Sequence, residues 1–191
     1  MSERAVSVDH STVHRWTIKL LPALGKAFGP REKKVGRSWR MDETYIKVKG
    51  KWKYLYRAVE KAGDTVDFLF RAKRDKAAAR RYFEKAISGN GVPQTVTFDT
   101  SGANVAGLNA INADREVQIK IRQSKYVNNV VEQDHRAIKR IVRPMLGFKS
   151  FRCARIILGG IELMHMIAKG QMKSDDGRYR SVAEQFYDLA K

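Results

Sequence analysis

Apolar and polar positions alternate with a period of two over three consecutive stretches, residues 39–49, 51–60 and 65–71. Gly50-Lys51 separates the first pair and Ala62-Gly63-Asp64 the second, so the pattern predicts a three-stranded antiparallel meander. Upstream the period is helical: Val13, Trp16, Leu20 and Leu21 define one short basic helix over residues 8–21. Residues 25–40, with Pro30, Gly36 and the cations Arg31, Lys33, Lys34 and Arg37, read as a linker. Downstream, residues 75–87 carry Ala77, Ala78, Tyr82, Phe83, Ala86 and Ile87 at helical spacing, and Gly89-Asn90-Gly91 stops them. A strand over 94–99, a helix over 102–112 and a strand over 117–121 follow. Two further helices are expected over 128–142, ending before Pro144 and Gly147, and over 151–168.

The predicted order is therefore β-β-β-α-β-α-β-α-α after the basic helix. Hairpins join the first three strands, whereas the later two need crossovers. The expected fold is α/β, a mixed five-stranded sheet flanked by helices on both faces, and its element order is similar to the ribonuclease-H-like architecture. The length of 191 residues suits one compact domain with a small appendage.

Charge changes the picture more than composition does. Thirty-eight Lys and Arg against twenty Asp and Glu give a net +18, the electrostatic footprint of a chain that sits on a polyanion, with nucleic acid first among candidates. The excess is concentrated: residues 120–155 hold 10 basic and 2 acidic residues, while 42–119 hold 14 and 10. The single cysteine, Cys153, excludes a thiol-rich zinc cluster, so any metal is held by oxygen or imidazole. No long apolar run and no secretory leader pattern are visible, and the expected location is the bacterial cytoplasm, at the nucleoid.

Among the acids, Asp42 shares a strand face with Thr44, Ile46 and Val48, so its charge is aimed where apolar side chains point. Asp99 closes the apolar run of its strand and leads through Thr100-Ser101-Gly102 into a helix, the place where open α/β sheets bind ligands. Glu132 lies one turn inside the 128–142 helix, in a stripe with Arg136, Lys139 and Arg143. Two strand aspartates and a helix glutamate are the donor set that hard Mg²⁺ or Mn²⁺ ions take, and a pair of such ions serves in-line phosphoryl transfer. Spacing alone leaves open that these acids are helix caps and surface charges.

The words around them are more specific. Trp-Arg-Met-Asp-Glu-Thr-Tyr (39–45), Lys-Trp-Lys-Tyr-Leu-Tyr-Arg-Ala-Val (51–59), Asp-Thr-Ser-Gly-Ala-Asn (99–104), Arg-Gln-Ser-Lys-Tyr-Val-Asn-Asn-Val-Val-Glu-Gln-Asp-His-Arg-Ala-Ile-Lys-Arg (122–140) and Pro-Met-Leu-Gly-Phe-Lys-Ser-Phe (144–151) closely resemble bacterial DDE transposases of insertion-sequence family six. The resemblance covers most of residues 1–172. It implies that Asp42, Asp99 and Glu132 are the catalytic, metal-binding triad for two Mg²⁺ (or Mn²⁺) ions, and that Lys139 lies against the DNA terminus. Arg136, Arg143, Arg122 and Lys125 complete the expected DNA contacts of this part of the chain. Residues 8–16 resemble the recognition helix of a helix-turn-helix, which adds His14 and Arg15; its supporting helices are expected to be missing. Thr100 stands where the family usually has lysine. The implied organisation is a partial helix-turn-helix and basic linker over 1–38, a catalytic domain over 39–172 and a tail over 173–191. The implied activity is cleavage and strand transfer at terminal inverted repeats and target DNA, with a replicative, cointegrate-forming outcome and a homodimer or larger assembly. The alternative is a truncated, non-catalytic DNA-binding protein or an inhibitor of a full-length transposase.

The remaining candidates read more plainly. His135 is expected as a structural histidine one turn after Glu132, and His165 as a packed one. Trp52, Tyr54 and Tyr56 alternate along the second strand, which suits sheet packing or, alternatively, stacking on bases. Asn128 and Asn129 are expected as helix caps.

Overall fold

The computed structural model describes residues 2, 3, 6–99, 102–124, 129–173 and 180–189. They fall in two compact units, residues 34–147 and the two flanking segments 1–33 and 148–191.

In chain order the elements are β1 (Ser2–Glu3), β2 (Val6–Ser7), α1 (His10–Phe28), β3 (Ser38–Val48), β4 (Lys51–Glu60), β5 (Thr65–Arg71), α2 (Lys76–Asn90), β6 (Thr95–Phe98), α3 (Gly102–Asn112), β7 (Lys120–Gln123), α4 (Asn129–Val142), α5 (Phe151–Ala168) and α6 (Val182–Asp188), with short 3-10 turns at Gly29–Arg31 and Arg143–Met145.

In the 34–147 unit the five-stranded sheet runs in the order β5-β4-β3-β6-β7. β3, β4 and β5 form the antiparallel meander, while β3–β6 and β6–β7 pair in parallel. The parallel pairs need α2 and α3 as crossovers, as the element order required. Along β3 the side chains divide by parity. Trp39 and Met41 enter a core with Tyr82 and Phe83 of α2 and Leu108 and Ile111 of α3, while α4 packs on the opposite side of β3 and β4. Each large apolar side chain so buried contributes about 1.5–3 kcal/mol. Asp75 caps α2 through the Ala78 amide at 2.8 Å.

In the other unit α1 packs on α5. The packing is close: a Cβ added at Gly160 would stand 2.4 Å from Leu21 Cδ1. Phe28, Leu163, Met166, Ile167, Met172 and Leu189 share a core, and Ser181 and Glu184 form a reciprocal capping box on α6. Among the described residues no helix is long and apolar enough to cross a membrane.

Four boundaries differ from the pattern reading. The first helix continues past residue 21 to Phe28, through Pro22 and Gly25, because packing on α5 outweighs a proline and a glycine that local propensity marks as breakers. Helix α2 runs on through Gly89 and Asn90 and stops only at Gly91, whose φ is +79°. The strand expected at 117–121 forms instead at Lys120–Gln123. Its first residues are claimed by Asn112, whose side chain bonds the amide and the carbonyl of Ile119 at 2.9 and 3.0 Å. Val117 is left 80% exposed. A helix at Val182–Asp188 lies within the segment that had been read as a tail.

Candidate active site

β3 carries Asp42 on its α4 side, and the site is organised around that strand. Across the ladder Asp42 pairs with Arg57 of β4. Arg57 is fully buried, and its guanidinium bonds the Asp134 carboxylate of α4 at 2.5 Å. The adjacent α4 residue, His135, is also buried and places Nε2 3.4 Å from Asp42 Oδ2. Among the described residues neither ring nitrogen of His135 has an aligned hydrogen-bond partner. The Arg57–Asp134 charge pair therefore latches α4 over β4, and His135 packs beside Asp42. Asp42 itself keeps 27% of its side chain exposed.

Asp99 follows β6 directly. Parallel pairing matches Ser38 with Thr95, Trp39 with Val96 and Arg40 with Thr97. Counted two residues past its last pair, this register matches Asp99 with Asp42, although β6 itself ends at Phe98. Parity agrees, since Val96 and Phe98 enter the α2/α3 core and leave positions 97 and 99 on the face that Arg40 and Asp42 share. Asp99 is exposed.

Helix α4 supplies the third acid. Its buried face is Val131, Asp134, His135, Ile138 and Val142, and Glu132 lies outside that face in the first turn. Glu132, Arg136 and Arg143 are exposed and Lys139 half-buried, so the expected stripe exists as a solvent-facing row. Arg122 is exposed on β7. His14 and Arg15 are exposed on α1, in the other unit, where Arg15 bonds the Thr12 hydroxyl at 3.0 Å. Lys125, Thr100 and Asn128 lie outside the described residues. Among the described residues no three acidic, histidine or cysteine side chains stand close enough together to hold a metal ion. The fold pairs β3 with β6 up to two residues before Asp42 and Asp99 and sets α4 over β3; it does not close the three carboxylates on one point.

Two features escaped the sequence reading. Glu43 points to the opposite face from Asp42, its side chain only 5% exposed, and meets Arg74 at 3.2 Å. Burial pushes its carboxyl above the ordinary value, against the pull of Arg74 and a hydrogen bond from Asn104. Glu43, next to Asp42 on β3, thereby meets the first turn of α3 through Asn104. Strand alternation puts Glu43 on the face opposite Asp42, but nothing local names the partners that enclose it. The second is a cleft of about 640 Å³ lined by Tyr45, Ile46, Lys47 and Trp52 of the hairpin and by Lys139, Val142, Arg143, Leu146 and Gly147. No local word in the sequence announces it, because its walls are nearly a hundred residues apart.

Comparison with known proteins decides the family. The DDE-domain profile of IS240-type transposases matches residues 36–171, a span that holds the whole sheet, α4 and the three acids. The chain belongs to the DDE transposases of insertion sequences. It is 40% identical over 175 residues to the transposase of the insertion sequence-like element IS431mec of Staphylococcus aureus, covering 91% of this chain and 77% of that one. It is likewise 40% identical over 172 residues to the transposase of IS257 in transposon Tn4003 of Staphylococcus aureus, covering 90% and 75%. In fold it is similar to the catalytic core domain of the HTLV-2 integrase, solved with magnesium in a trimeric form, with a TM-score of 0.55 and 17% identity over 81% of this chain and 98% of that one. This likeness supports the integrase-type, ribonuclease-H-like sheet that the strand order already described. The residues that the transposase family leads one to expect as DNA contacts are the cations placed above.

Proposed function

We propose that this transposase cuts and rejoins DNA strands at the ends of an insertion sequence by metal-assisted phosphoryl transfer, with Asp42, Asp99 and Glu132 as the ligating carboxylates. The observation that supports the reading is the parallel β3–β6 pairing, which runs as far as Arg40 and Thr97, two residues short of Asp42 and Asp99, with the helix bearing Glu132 packed on β3. The donor set suits a hard divalent cation: three carboxylates that each keep contact with solvent, and no thiolate. A bound Mg²⁺ or Mn²⁺ pair supplies activation of the attacking oxygen and charge neutralisation at the leaving oxygen. The integrase core of similar fold was solved with magnesium, which supports the same choice of ion here.

The chain's own residues do the rest. Arg136, Lys139 and Arg143 form a cationic row that seats successive backbone phosphates beside Glu132, and Arg122, Lys125, His14 and Arg15 are the further DNA contacts of the proposal. Arg57 and Asp134, buried and mutually neutralised, hold α4 so that this row and Asp42 keep one geometry. The same site first directs water onto a phosphodiester to free a 3′-hydroxyl, then directs that hydroxyl onto target DNA. A replicative, cointegrate-forming outcome on a homodimer or larger assembly completes the proposal.

The test is joining of pre-cut terminal-repeat DNA to a target by the purified chain. Joining is expected with Mg²⁺ or Mn²⁺ and should be lost with chelator or with Asp99→Asn. Joining that persists in Asp99→Asn, or that needs no divalent ion, would overturn the assignment.

A further inference from the structure

The cleft beside α4 shares Lys139 and Arg143 with the phosphate row above, but its aromatic wall has no part in that chemistry. One wall is aromatic: Tyr45 and Trp52 meet edge to face at 6.4 Å, and Tyr54 backs Tyr45 at 5.5 Å. Trp52, near the hairpin end of β4, is 59% exposed, although a large indole ordinarily buries much of its surface. The other wall holds Lys139 and Arg143, and Lys47 Nζ stands 5.9 Å from the Trp52 ring. None of the lining residues is acidic. The inner side is closed by the turn at Leu146-Gly147. Gly147 has φ +102°, and a Cβ there would lie 3.1 Å from the Lys47 carbonyl oxygen, so this turn reaches the β3 edge only as glycine. Leu146, 90% exposed, stands at the rim.

We infer that this cleft receives an unstacked nucleobase of the DNA strand whose backbone follows the α4 cations. Aromatic faces bind any base by stacking, and surrounding cations meet the phosphates that flank it. The cleft takes Ile46 from the Asp42 face of β3 and Tyr45, Lys47 and Trp52 from the other, and its distance along the elements agrees with a strand that starts at the acids. Lys139 lies seven residues along α4 from Glu132, about 10 Å, and Tyr45 to Lys47 lie three to five residues along β3 from Asp42, about 10–17 Å. At 3.4 Å per B-form step that is roughly three to five nucleotides from the scissile position. A base at that distance leaves the duplex, stacks on Trp52 against Tyr45, and puts its phosphates on Lys139, Arg143 and Lys47. The inference rests on the reading that DNA lies along α4.

Binding of two probes to the full 191-residue chain, without divalent ions, tests it: a blunt duplex, and the same duplex with a short single-stranded tail carrying 2-aminopurine at successive positions. The tail is expected to tighten binding about tenfold or more, with a 2-aminopurine fluorescence change at one or two positions only. Trp52→Ala should remove that gain and leave blunt-duplex binding unchanged, while Trp52→Phe keeps most of it. In the wild-type chain an abasic tail should lose the same gain, and combining it with Trp52→Ala should cost nothing more. A tail without advantage, an abasic tail that binds as well as a base-bearing one, or a Trp52→Ala loss equal on both probes would overturn the inference. These outcomes are separate from strand joining: joining abolished by Asp99→Asn beside a tail without advantage leaves the catalytic reading intact and removes only the base site, and tail discrimination without joining does the reverse.

Discussion

At the scale of single residues, the two neighbouring acids of β3 do opposite work. Asp42 faces α4 and keeps water; Glu43 is enclosed against Arg74 and Asn104. Because burial raises the Glu43 carboxyl above its ordinary 4.5, the folded chain holds this proton to higher pH than the unfolded chain does. Below 4.5 both states are protonated and the group is neutral to stability. As pH rises past 4.5 the unfolded chain ionises first, so this group lowers stability progressively until pH passes its folded value. Glu43→Gln should therefore match the wild type in acid and gain on it as pH rises, measured as urea midpoints across the range from pH 4 to 8. A difference between the two that does not change with pH, or that moves in favour of the wild type as pH rises, would remove the buried-acid account. The sequence showed Asp42 because an acid on an apolar face is a visible anomaly. It hid Glu43 because the partner that explains it, Asn104, comes from a helix sixty residues away, and hid the His135 contact because neither strand nor helix periodicity says which turns of α4 meet β3.

At the scale of elements, most of the fold was legible. β4, β5, α3 and α5 have the bounds that their periodicity marks, since hairpin turns and glycine stops are local signals. Misses occur where a tertiary partner outbids a local preference, as at Pro22 in α1 and at Ile119 before β7. The α2–α3 crossing makes the same competition measurable. A Cβ at Gly107 of α3 would meet Ala79 Cβ at 2.8 Å and the Arg80 amide nitrogen at 2.9 Å, whereas one at Gly89 of α2 meets nothing within 4 Å. Alanine gains about 1 kcal/mol over glycine inside a helix, while overpacking against backbone costs about 1–3 kcal/mol. Gly89→Ala should thus raise the melting temperature by about 2–4 °C, and Gly107→Ala should lower it by up to about twice that. Equal stabilisation by both would show that α2 and α3 do not cross as closely as the structure has them.

At the scale of the whole molecule, a net +18 does not mean that every cation is free for DNA. Arg31 bonds the Asp188 carbonyl oxygen at 2.9 Å and Lys33 the Gly170 carbonyl oxygen at 2.7 Å, so half of the basic cluster that reads as a polyanion-binding linker pins its own unit. Arg57, Arg74 and Lys85 are likewise held by Asp134, Glu43 and Asp67. Composition counted these cations, but only the fold divides them into structural and available charges. The α4 row belongs to the second class: Arg136 and Arg143 are exposed and Lys139 half-buried, with Glu132 the acid at its start. Each phosphate it neutralises releases condensed counterions, which steepens the fall of affinity with salt by about 0.9 in a log–log plot. Replacing Arg136, Lys139 and Arg143 together by alanine should flatten that plot for a blunt duplex by about 2–3 units and leave the melting temperature nearly unchanged. Replacing Arg31 and Lys33 should do the opposite, lowering the melting temperature and changing the slope little. If the slopes of the two variants prove alike, the positive charge acts as a diffuse field over the molecule and not as a row of phosphate seats on one helix.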